Sequence, residues 1–322
     1  MLNRQSLTIL CYHGVVRSAL PISDYCFFEA SRFLAQMQWL ARSRFRVAPL
    51  SQAIPDLLTG RITQPTVALT FDDGYRNNLD VALPILQQFN FSATIFLATG
   101  FTGSLKTIWP SRILQAVQST SLDSVTWGGS TVSLATLAER RAANRVLQLR
   151  VKERAPGAPN DATTEIERLL DVQENPDIDR NSPSAMMDID DVRRGIASGL
   201  LEFGAHSVTH PILSALDDEG VRREIEGSVQ SIRQMVPQPS PCFAYPNGRP
   251  ADFDSRCVSC LQDNEIPFAV STTEAMNTPG ADAYRLGRRG IGCDTSMLEF
   301  IGKLIDLPRV PALRWARRAI GR

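Results

Sequence analysis

The amino-acid sequence predicts an α/β fold built on a parallel sheet or barrel. Short apolar runs typical of strands alternate with amphipathic helical patterns along most of the chain. The 322 residues, of which 43% are hydrophobic and 21% charged, are typical of an ordinary globular protein with a sizeable core. Length alone favours about two domains, but an α/β barrel with an insertion reaches this length as one unit. We therefore predict a single domain over residues 1–322.

The predicted elements follow from hydrophobic periodicity. The strand-like apolar runs lie at 7–11, 67–71, 92–98, 201–205, 241–245 and 267–271. Residues 28–42 form a helical pattern with Phe33, Met37 and Leu40 on one face. Asp217 is a predicted N-cap, and the helix after it carries an apolar stripe. We assign both stripes to the core and give them no chemical role.

The strand–helix alternation breaks between 103 and 187. This segment contains a predicted hairpin across Gly128-Gly129, a charged helical run over 134–154 and a further helix over 163–171. We interpret 103–187 as a helical and hairpin insertion within the domain and not as a second catalytic domain.

Overall charge is uninformative about partners. Thirty-four basic and 34 acidic residues cancel, so no overall field attracts the chain to nucleic acid. The segment 308–322 has five arginines and no acid, which suits either an anionic membrane surface or glycan, or a frayed basic helix end. The first residues lack a signal-peptide pattern and no run of about 18 apolar residues occurs, so we expect a cytoplasmic protein, with peripheral membrane contact through that tail.

The three histidines all follow strand-like runs. His206 and His210 form a His-x-x-x-His pair after one run, His13 follows the first run, and Asp72-Asp73 follow another. Polar side chains at the carboxyl ends of parallel strands meet at the ligand-binding edge of α/β proteins. Two imidazoles and one carboxylate suit a hydrolytic divalent metal, and the second aspartate is then available for proton transfer.

Each motif also has a simpler interpretation. An acidic pair before glycine is usually a solvated turn, and the histidine pair by itself suits a capped helical turn with a partly buried imidazole. The expected cofactor is a divalent metal, with zinc as the first choice and cobalt, nickel, manganese or iron as alternatives.

Three segments resemble the motifs of the polysaccharide deacetylases, carbohydrate esterase family 4. They are Thr-Val-Ala-Leu-Thr-Phe-Asp-Asp-Gly-Tyr and its continuation within 66–101, Phe-Gly-Ala-His-Ser-Val-Thr-His-Pro at 203–211, and Phe-Ala-Tyr-Pro-Asn-Gly at 243–248. With the opening Tyr12-His13-Gly-Val, the order of the motifs is similar to that of the branch that includes poly-N-acetylglucosamine deacetylases.

The resemblance implies a distorted (β/α) barrel with fewer than eight strands and a metal-dependent deacetylase site. Its motifs make Asp73, His206 and His210 the metal ligands and Asp72 the general base. No histidine occurs in the C-terminal third, so the resemblance assigns the role of catalytic acid to His13. The backbone N–H of Asn247 stabilises the oxyanion.

The chain departs from the family pattern at the arginine that orients the base. Ala244 occupies the position of this arginine, and Arg288, on a later strand, is a candidate to replace it. The alternatives for Arg288 are a helix cap or a surface ion pair. Tyr12, Tyr75, Trp109 and Tyr245 lie near the motifs, and either stack on sugar rings or pack in the core. The side chains predicted to bind substrate are Tyr12, Tyr75, Tyr245 and Arg288.

The function implied by the resemblance is removal of N-acetyl groups from an N-acetylated glycan or lipid-linked sugar, in exopolysaccharide or cell-surface polymer synthesis. Two alternatives remain open. One is hydrolysis of a non-sugar amide or imide on the same fold, and the other is carbohydrate binding without turnover. The expected partner in the first case is an N-acetylated carbohydrate, with no nucleic acid.

Overall fold

The computed structural model describes residues 5–305, in which a parallel sheet is surrounded by helices. The strands are β1 (Leu7–Tyr12), β2 (Gly14–Val16), β3 (Phe27–Glu29), β4 (Arg46–Val47), β5 (Thr66–Phe71), β6 (Ala93–Leu97), β7 (Ser124–Trp127), β8 (Ser130–Ser133), β9 (Leu201–Ala205), β10 (Cys242–Ala244), β11 (Phe268–Val270) and β12 (Arg289–Gly290). The helices are α1 (Ala30–Arg42), α2 (Leu50–Leu58), α3 (Leu83–Phe89), α4 (Trp109–Ser119), α5 (Leu137–Arg154), α6 (Pro159–Leu169), α7 (Ile189–Ala197), α8 (Asp218–Met235), α9 (Ser255–Asp263) and α10 (Met297–Leu304).

The main sheet is a distorted barrel. Seven parallel strands follow the order β11-β10-β9-β6-β5-β1-β12, and the two-residue β4 pairs with the start of β5. The two ends of this run approach each other, because Leu286 bridges to Val270 of β11 and β12 pairs with β1. The predicted α/β class and distorted barrel are confirmed.

Burial explains why the central strands are continuously apolar. All six residues of β1 and all six of β5 are buried, as expected for parallel strands that are covered on both faces. Helix α1 buries the predicted stripe of Phe33, Met37 and Leu40 against this core. Burying one such side chain fully contributes about 1.5–3 kcal/mol.

Segment 103–187 contributes most of a second apolar cluster, including Ile113, Trp127 and Leu147, which also takes in Phe27 and Tyr75 from outside the segment. Strands β7 and β8 form the predicted antiparallel hairpin across Gly128-Gly129. Helix α5 begins at Leu137, three residues later than predicted, because Thr136 and Glu139 form a reciprocal capping box. The insertion bounds and the single-domain organisation stay predictions.

Three of the short strands were not predicted from the sequence. Strands β2 and β3 pair with each other and β12 pairs with β1, but each is only two or three residues long. None of the helices within 5–305 combines the length and apolarity of a membrane span. The basic tail 308–322 lies outside the described residues.

Candidate active site

The chemically active side chains come from the carboxyl ends of neighbouring strands. His13 follows β1, Asp72 and Asp73 follow β5, and His206 follows β9. Two backbone hydrogen bonds extend the ladders into these turns: the Asp72 N–H donates to the Tyr12 carbonyl at 3.0 Å, and the His206 N–H donates to the Leu97 carbonyl at 2.9 Å. The sheet therefore brings together residues far apart in the chain, as parallel α/β folds do at this edge.

Asp73, His206 and His210 converge on one point. Asp73 Oδ1 lies 3.6 Å from His206 Nε2 and 3.4 Å from His210 Nε2, and all three side chains are buried. Two ligands that are each about 2.1 Å from a tetrahedral ion lie about 3.4 Å apart. Within the described chain, the buried Asp73 Oδ1 has no hydrogen-bond partner, which a cation would supply. These residues form a candidate metal site.

The ring orientation of His206 is fixed by the neighbouring strand. Its Nδ1 lies 2.7 Å from the Ala244 carbonyl at the end of β10, so Nδ1–H donates and the Nε2 lone pair is left available to a cation shared with Asp73. Burial lowers the pKa of His210 to about 4 and keeps that imidazole neutral at pH 7. Neutral imidazole is the form that ligates a metal.

The ligand-bearing turns adopt backbone conformations that L-residues usually avoid. Asp73, Ser207 and His210 have φ of +76°, +62° and +61°. Each such residue costs on the order of 1–3 kcal/mol, and strain of this kind concentrates at functional sites. Local hydrogen bonds offset part of it: the His210 N–H donates to Ser207 Oγ at 3.1 Å, and the Trp109 indole N–H donates to the His210 carbonyl at 3.1 Å.

Asp72 forms a buried two-pronged ion pair with Arg288. Arg288 Nη1 is 2.6 Å from Asp72 Oδ1 and Nη2 is 2.7 Å from Oδ2, while Nε donates to the Ser271 carbonyl at 3.1 Å. Burial would raise the pKa of Asp72, but Arg288 outweighs it and holds the pKa well below its ordinary value. Asp72 is therefore ionised and fixed in orientation. The alternatives of a surface pair or helix cap for Arg288 are wrong, since this residue is fully buried.

His13 lies near both aspartates. A ring nitrogen lies within 4.8 Å of a carboxylate oxygen of Asp72, and the same holds for Asp73. In the part of the chain that the structure describes, the buried Nδ1 has no hydrogen-bond partner, and the residue is half-buried. The imidazole is thus placed to exchange a proton with a group that enters from solvent.

Asn247 lies in a strained turn after β10. Its φ is +59°, and its carbonyl accepts a hydrogen bond of 2.6 Å from the Thr272 hydroxyl. Among residues 5–305, the Asn247 backbone N–H has no acceptor. Because the Ala244 carbonyl binds His206, this turn begins close to the candidate metal site.

The predicted substrate contacts require correction. Tyr12, Tyr75 and Tyr245 are fully buried, as is Arg288, so none of the four offers a surface to a sugar ring. The hydroxyls of Tyr12 and Tyr75 bond to other core side chains, at 2.6 and 2.8 Å, and the Tyr245 ring stacks on Phe253. The tyrosines serve packing, and Arg288 contacts Asp72.

Tyr25 is an aromatic residue at the site that sequence reasoning missed. It is 50% exposed, and its ring centroid lies 6.0 Å from that of His13 in an edge-to-face arrangement. The ring lies against backbone: a Cβ on Gly290 would lie 2.3 Å from the Tyr25 hydroxyl oxygen, and one on Gly292 would lie 2.2 Å from a ring carbon. The irregular loop around Tyr25 has no periodic pattern, so nothing in the sequence distinguishes this tyrosine from a core residue.

Comparison with protein families shows the family to which this chain belongs. The family model for polysaccharide deacetylase matches residues 59–139 and 171–269, more than half of the chain. The chain belongs to the polysaccharide deacetylase family. No curated protein matches the sequence.

Solved structures share the fold at low sequence identity. The Streptococcus pyogenes deacetylase PplD in complex with acetate has a TM-score of 0.62 and 16% identity, over 93% of this chain and 98% of that one. A de-N-acetylase from Aggregatibacter actinomycetemcomitans has a TM-score of 0.59 and 16% identity, over 92% and 99%. IcaB from Ammonifex degensii has a TM-score of 0.57 and 17% identity, over 93% and 95%.

Proposed function

We propose that the protein is a metal-dependent hydrolase that removes N-acetyl groups from an N-acetylated glycan or lipid-linked sugar, in exopolysaccharide or cell-surface polymer synthesis. The observation that carries this proposal is the convergence of Asp73, His206 and His210 beside the ion-paired Asp72. The de-N-acetylase among the similar folds supports the reaction class, and the family supports a carbohydrate substrate. Motif order similar to the poly-N-acetylglucosamine branch supports a polymeric substrate.

Amide hydrolysis needs an activated water and a protonated leaving group. A divalent metal held by Asp73, His206 and His210, with zinc as the first choice, would polarise the acetyl carbonyl and lower the pKa of its water. Asp72 accepts the proton of the attacking water, because Arg288 keeps its carboxylate ionised and oriented. The two adjacent aspartates thereby have different roles.

Asn247 and His13 act on the developing oxyanion and on the leaving amine. The Asn247 N–H donates to the developing oxyanion, an interaction whose loss costs about 3–4 kcal/mol in other hydrolases. His13, which lies near both aspartates, donates a proton to the departing sugar nitrogen.

The test is acetate release from a panel of N-acetylated oligosaccharides, with and without a chelator. We expect wild-type activity that chelation abolishes, and a fall of about 10²–10⁴-fold in Asp72→Asn with the metal retained. His13→Ala should lower the rate and also keep the metal. Activity that survives both the chelator and Asp72→Asn would refute the proposal, and release from non-sugar amides alone would replace the substrate class.

A further inference from the structure

A cationic side chain of the 103–187 segment lies beside the candidate metal site. Lys152, in the last turn of α5, places its ammonium 5.8 Å from the centre of the Trp109 ring. The same indole donates its N–H to the backbone carbonyl of the metal-ligand residue His210. Lys152, Trp109 and His210 thus form a continuous series from the insertion to the site.

Two hydrogen bonds hold this end of α5 against the loop that carries His210. The Ile212 N–H donates to the Pro156 carbonyl at 2.9 Å, and the Asn160 side-chain amide donates to the Thr209 carbonyl at 3.1 Å. The chain that follows Lys152 is therefore anchored on both sides of His210, by the Pro156 carbonyl and by the Asn160 side chain.

Lys152 has no counter-ion among the residues that the structure describes, although it is half-buried. The carboxylates of Asp24 and Asp252 attract Lys152 at longer range, but neither forms an ion pair with it, and each accepts hydrogen bonds from other groups. Asp24 accepts hydrogen bonds from the Cys26 N–H and from the side chains of Asn144 and Gln148. Asp252 accepts the backbone N–H of Arg249 at 2.9 Å. A partly desolvated ammonium that lacks an ion pair is costly, so an anion that binds there gains free energy.

A second cation comes from the turn that carries the proposed oxyanion donor. Arg249 follows Asn247 by two residues and is exposed, and its guanidinium has no acidic partner within 5–305. The Arg249 turn and the chain just after Lys152 pack on the same segment beyond His210, because the Asp252 carbonyl accepts the Ser214 N–H at 3.0 Å and the Pro156 carbonyl accepts the Ile212 N–H at 2.9 Å. Two like charges held close together favour a bound anion between them.

We propose that the substrate carries an acidic oxyanion, a carboxylate or a phosphate ester, next to the N-acetylated sugar, and that Lys152 and Arg249 bind it. This inference rests on the proposed deacetylase function and specifies its substrate class. The oxyanion has two chemical sources. It is the carboxylate of an adjoining uronic acid within a polymer, or the phosphate at the reducing end of a carrier-linked sugar.

The experiment compares kcat/KM for matched acetylated substrates. One pair is a neutral N-acetylglucosamine hexasaccharide and a hexasaccharide in which N-acetylglucosamine alternates with glucuronate. The other is the methyl glycoside of N-acetylglucosamine and its 1-phosphate. Wild type should favour the acidic member of one pair by about tenfold or more, and that pair identifies the source. Added salt should reduce the preference, because the contact is electrostatic.

The variants are Lys152→Met and Arg249→Gln, with Lys152→Arg to restore the charge. Lys152→Met should lower kcat/KM for the acidic substrate about tenfold more than for its neutral partner, mainly through KM, and Lys152→Arg should recover most of the preference. Arg150→Met is the matched control. It removes a charge from the same helix, where Arg150 contacts the Ser130 carbonyl of the hairpin, and it should keep the wild-type preference.

The outcomes separate this inference from the proposed function. Equal kcat/KM for acidic and neutral members of both pairs, or an equal loss for both in Lys152→Met, would overturn the anion site and leave the deacetylase intact. No acetate release from any of the four substrates, nor from the wider panel above, would overturn the deacetylase proposal itself.

Discussion

Adjacent aspartates at the end of β5 have different partners. Asp72 faces Arg288, whereas Asp73 faces two imidazoles, because the chain enters the left-handed region at Asp73 and continues through Gly74 with φ of +87°. At Gly74 a Cβ would lie 2.7 Å from a methyl carbon of Leu97, so a side chain there would crowd the next strand. One short turn therefore separates a metal ligand from a candidate base.

The residue identities at the site were readable from sequence, and Arg288 was a candidate partner of Asp72, but the geometry that joins them was not readable. Strand-end positions and ligand chemistry predict that two histidines and one aspartate share a cation, and the family resemblance assigns Asp73 as that aspartate. The Arg288–Asp72 pair depends on the return of β12 to the edge of β1, which no local pattern encodes. The burial of Tyr12 and Tyr245 likewise depends on tertiary packing, so proximity in sequence to a motif was misleading.

Arg288→Lys tests the orientation of Asp72. Lysine keeps the charge but cannot make the two parallel hydrogen bonds, so we expect kcat/KM to fall by about 100-fold while the protein stays folded. Acetate release and a thermal melt measure the two effects. Arg289→Lys, at the neighbouring position, is the control and should retain activity. Wild-type activity in Arg288→Lys would show that the ion pair has no part in catalysis.

Tyr25→Ala tests the exposed aromatic beside His13. Loss of ring stacking on a sugar should raise KM by about tenfold with little change in kcat, since an aromatic contact contributes about 0.5–1.5 kcal/mol beyond its area. Tyr25→Phe keeps the ring and should behave like wild type. Steady-state kinetics on one oligosaccharide measures KM and kcat for both variants. An unchanged KM in Tyr25→Ala would show that Tyr25 does not bind the substrate.

At the scale of elements, the long strands and amphipathic helices were predictable because their patterns span several residues. The hairpin β7–β8 was predictable from Gly128-Gly129, whose φ angles of +60° and +79° suit a tight turn. Strands β2, β3 and β12 were not predictable, because a strand of two or three residues is too short to show a periodic hydrophobic pattern. The start of α5 was missed although Thr136-x-x-Glu139 is a readable capping box.

A buried ion pair joins α4 to α6 within the 103–187 segment. Arg112 Nε and Nη2 lie 2.9 and 2.5 Å from the two carboxylate oxygens of Glu167, and both side chains are almost fully buried. Glu167→Gln should lower the free energy of unfolding by about 3–5 kcal/mol, because it leaves Arg112 uncompensated. Urea denaturation should show a smaller loss for Arg112→Met combined with Glu167→Met. Equal losses in the single and double variants would mean that the charges are not coupled.

The start of α7 should show a pH-dependent contribution. Burial raises the pKa of Asp188. Two contacts outweigh burial and hold this pKa below its ordinary value: the Asp191 N–H donates to the Asp188 carboxylate at 2.7 Å, and the Arg180 guanidinium pairs with it. Because the pKa of Asp188 is lower in the folded state than in the unfolded state, the ionised carboxylate stabilises the fold at pH values above its unfolded-state pKa. This stabilisation is lost as the pH falls through the folded-state pKa. Asp188→Ala should therefore cost about 1 kcal/mol at pH 7 and less in acid.

The control for Asp188→Ala is Asp190→Ala in the same first turn. Asp190 is 82% exposed and pairs only with exposed Arg193 among described residues. Its removal should change the free energy of unfolding by less than about 0.5 kcal/mol. A loss in Asp188→Ala that stays constant from pH 7 to acid would contradict an ionised cap.

At the scale of the whole molecule, the barrel gathers one site from distant parts of the chain. The order β10-β9-β6-β5-β1 brings the turns after β1, β5, β9 and β10 to one edge, and the approach of 286–290 to β11 and β1 adds Arg288. In the proposed anion site, helix α5 of the 103–187 segment adds Lys152, which lies over the Trp109 ring. Overall charge is balanced, so recognition rests on local groups and not on a global field.

The metal content of purified variants tests the central claim most directly. The protein is loaded with zinc, desalted and analysed by mass spectrometry of the metal, for wild type, His206→Gln, His210→Gln and Asp72→Asn. We predict about one divalent ion per chain in wild type and Asp72→Asn, and a loss of most of it in both histidine variants, since each removes a neutral nitrogen ligand. Wild-type metal content in the histidine variants, or an ion lost only from Asp72→Asn, would contradict the Asp73–His206–His210 site.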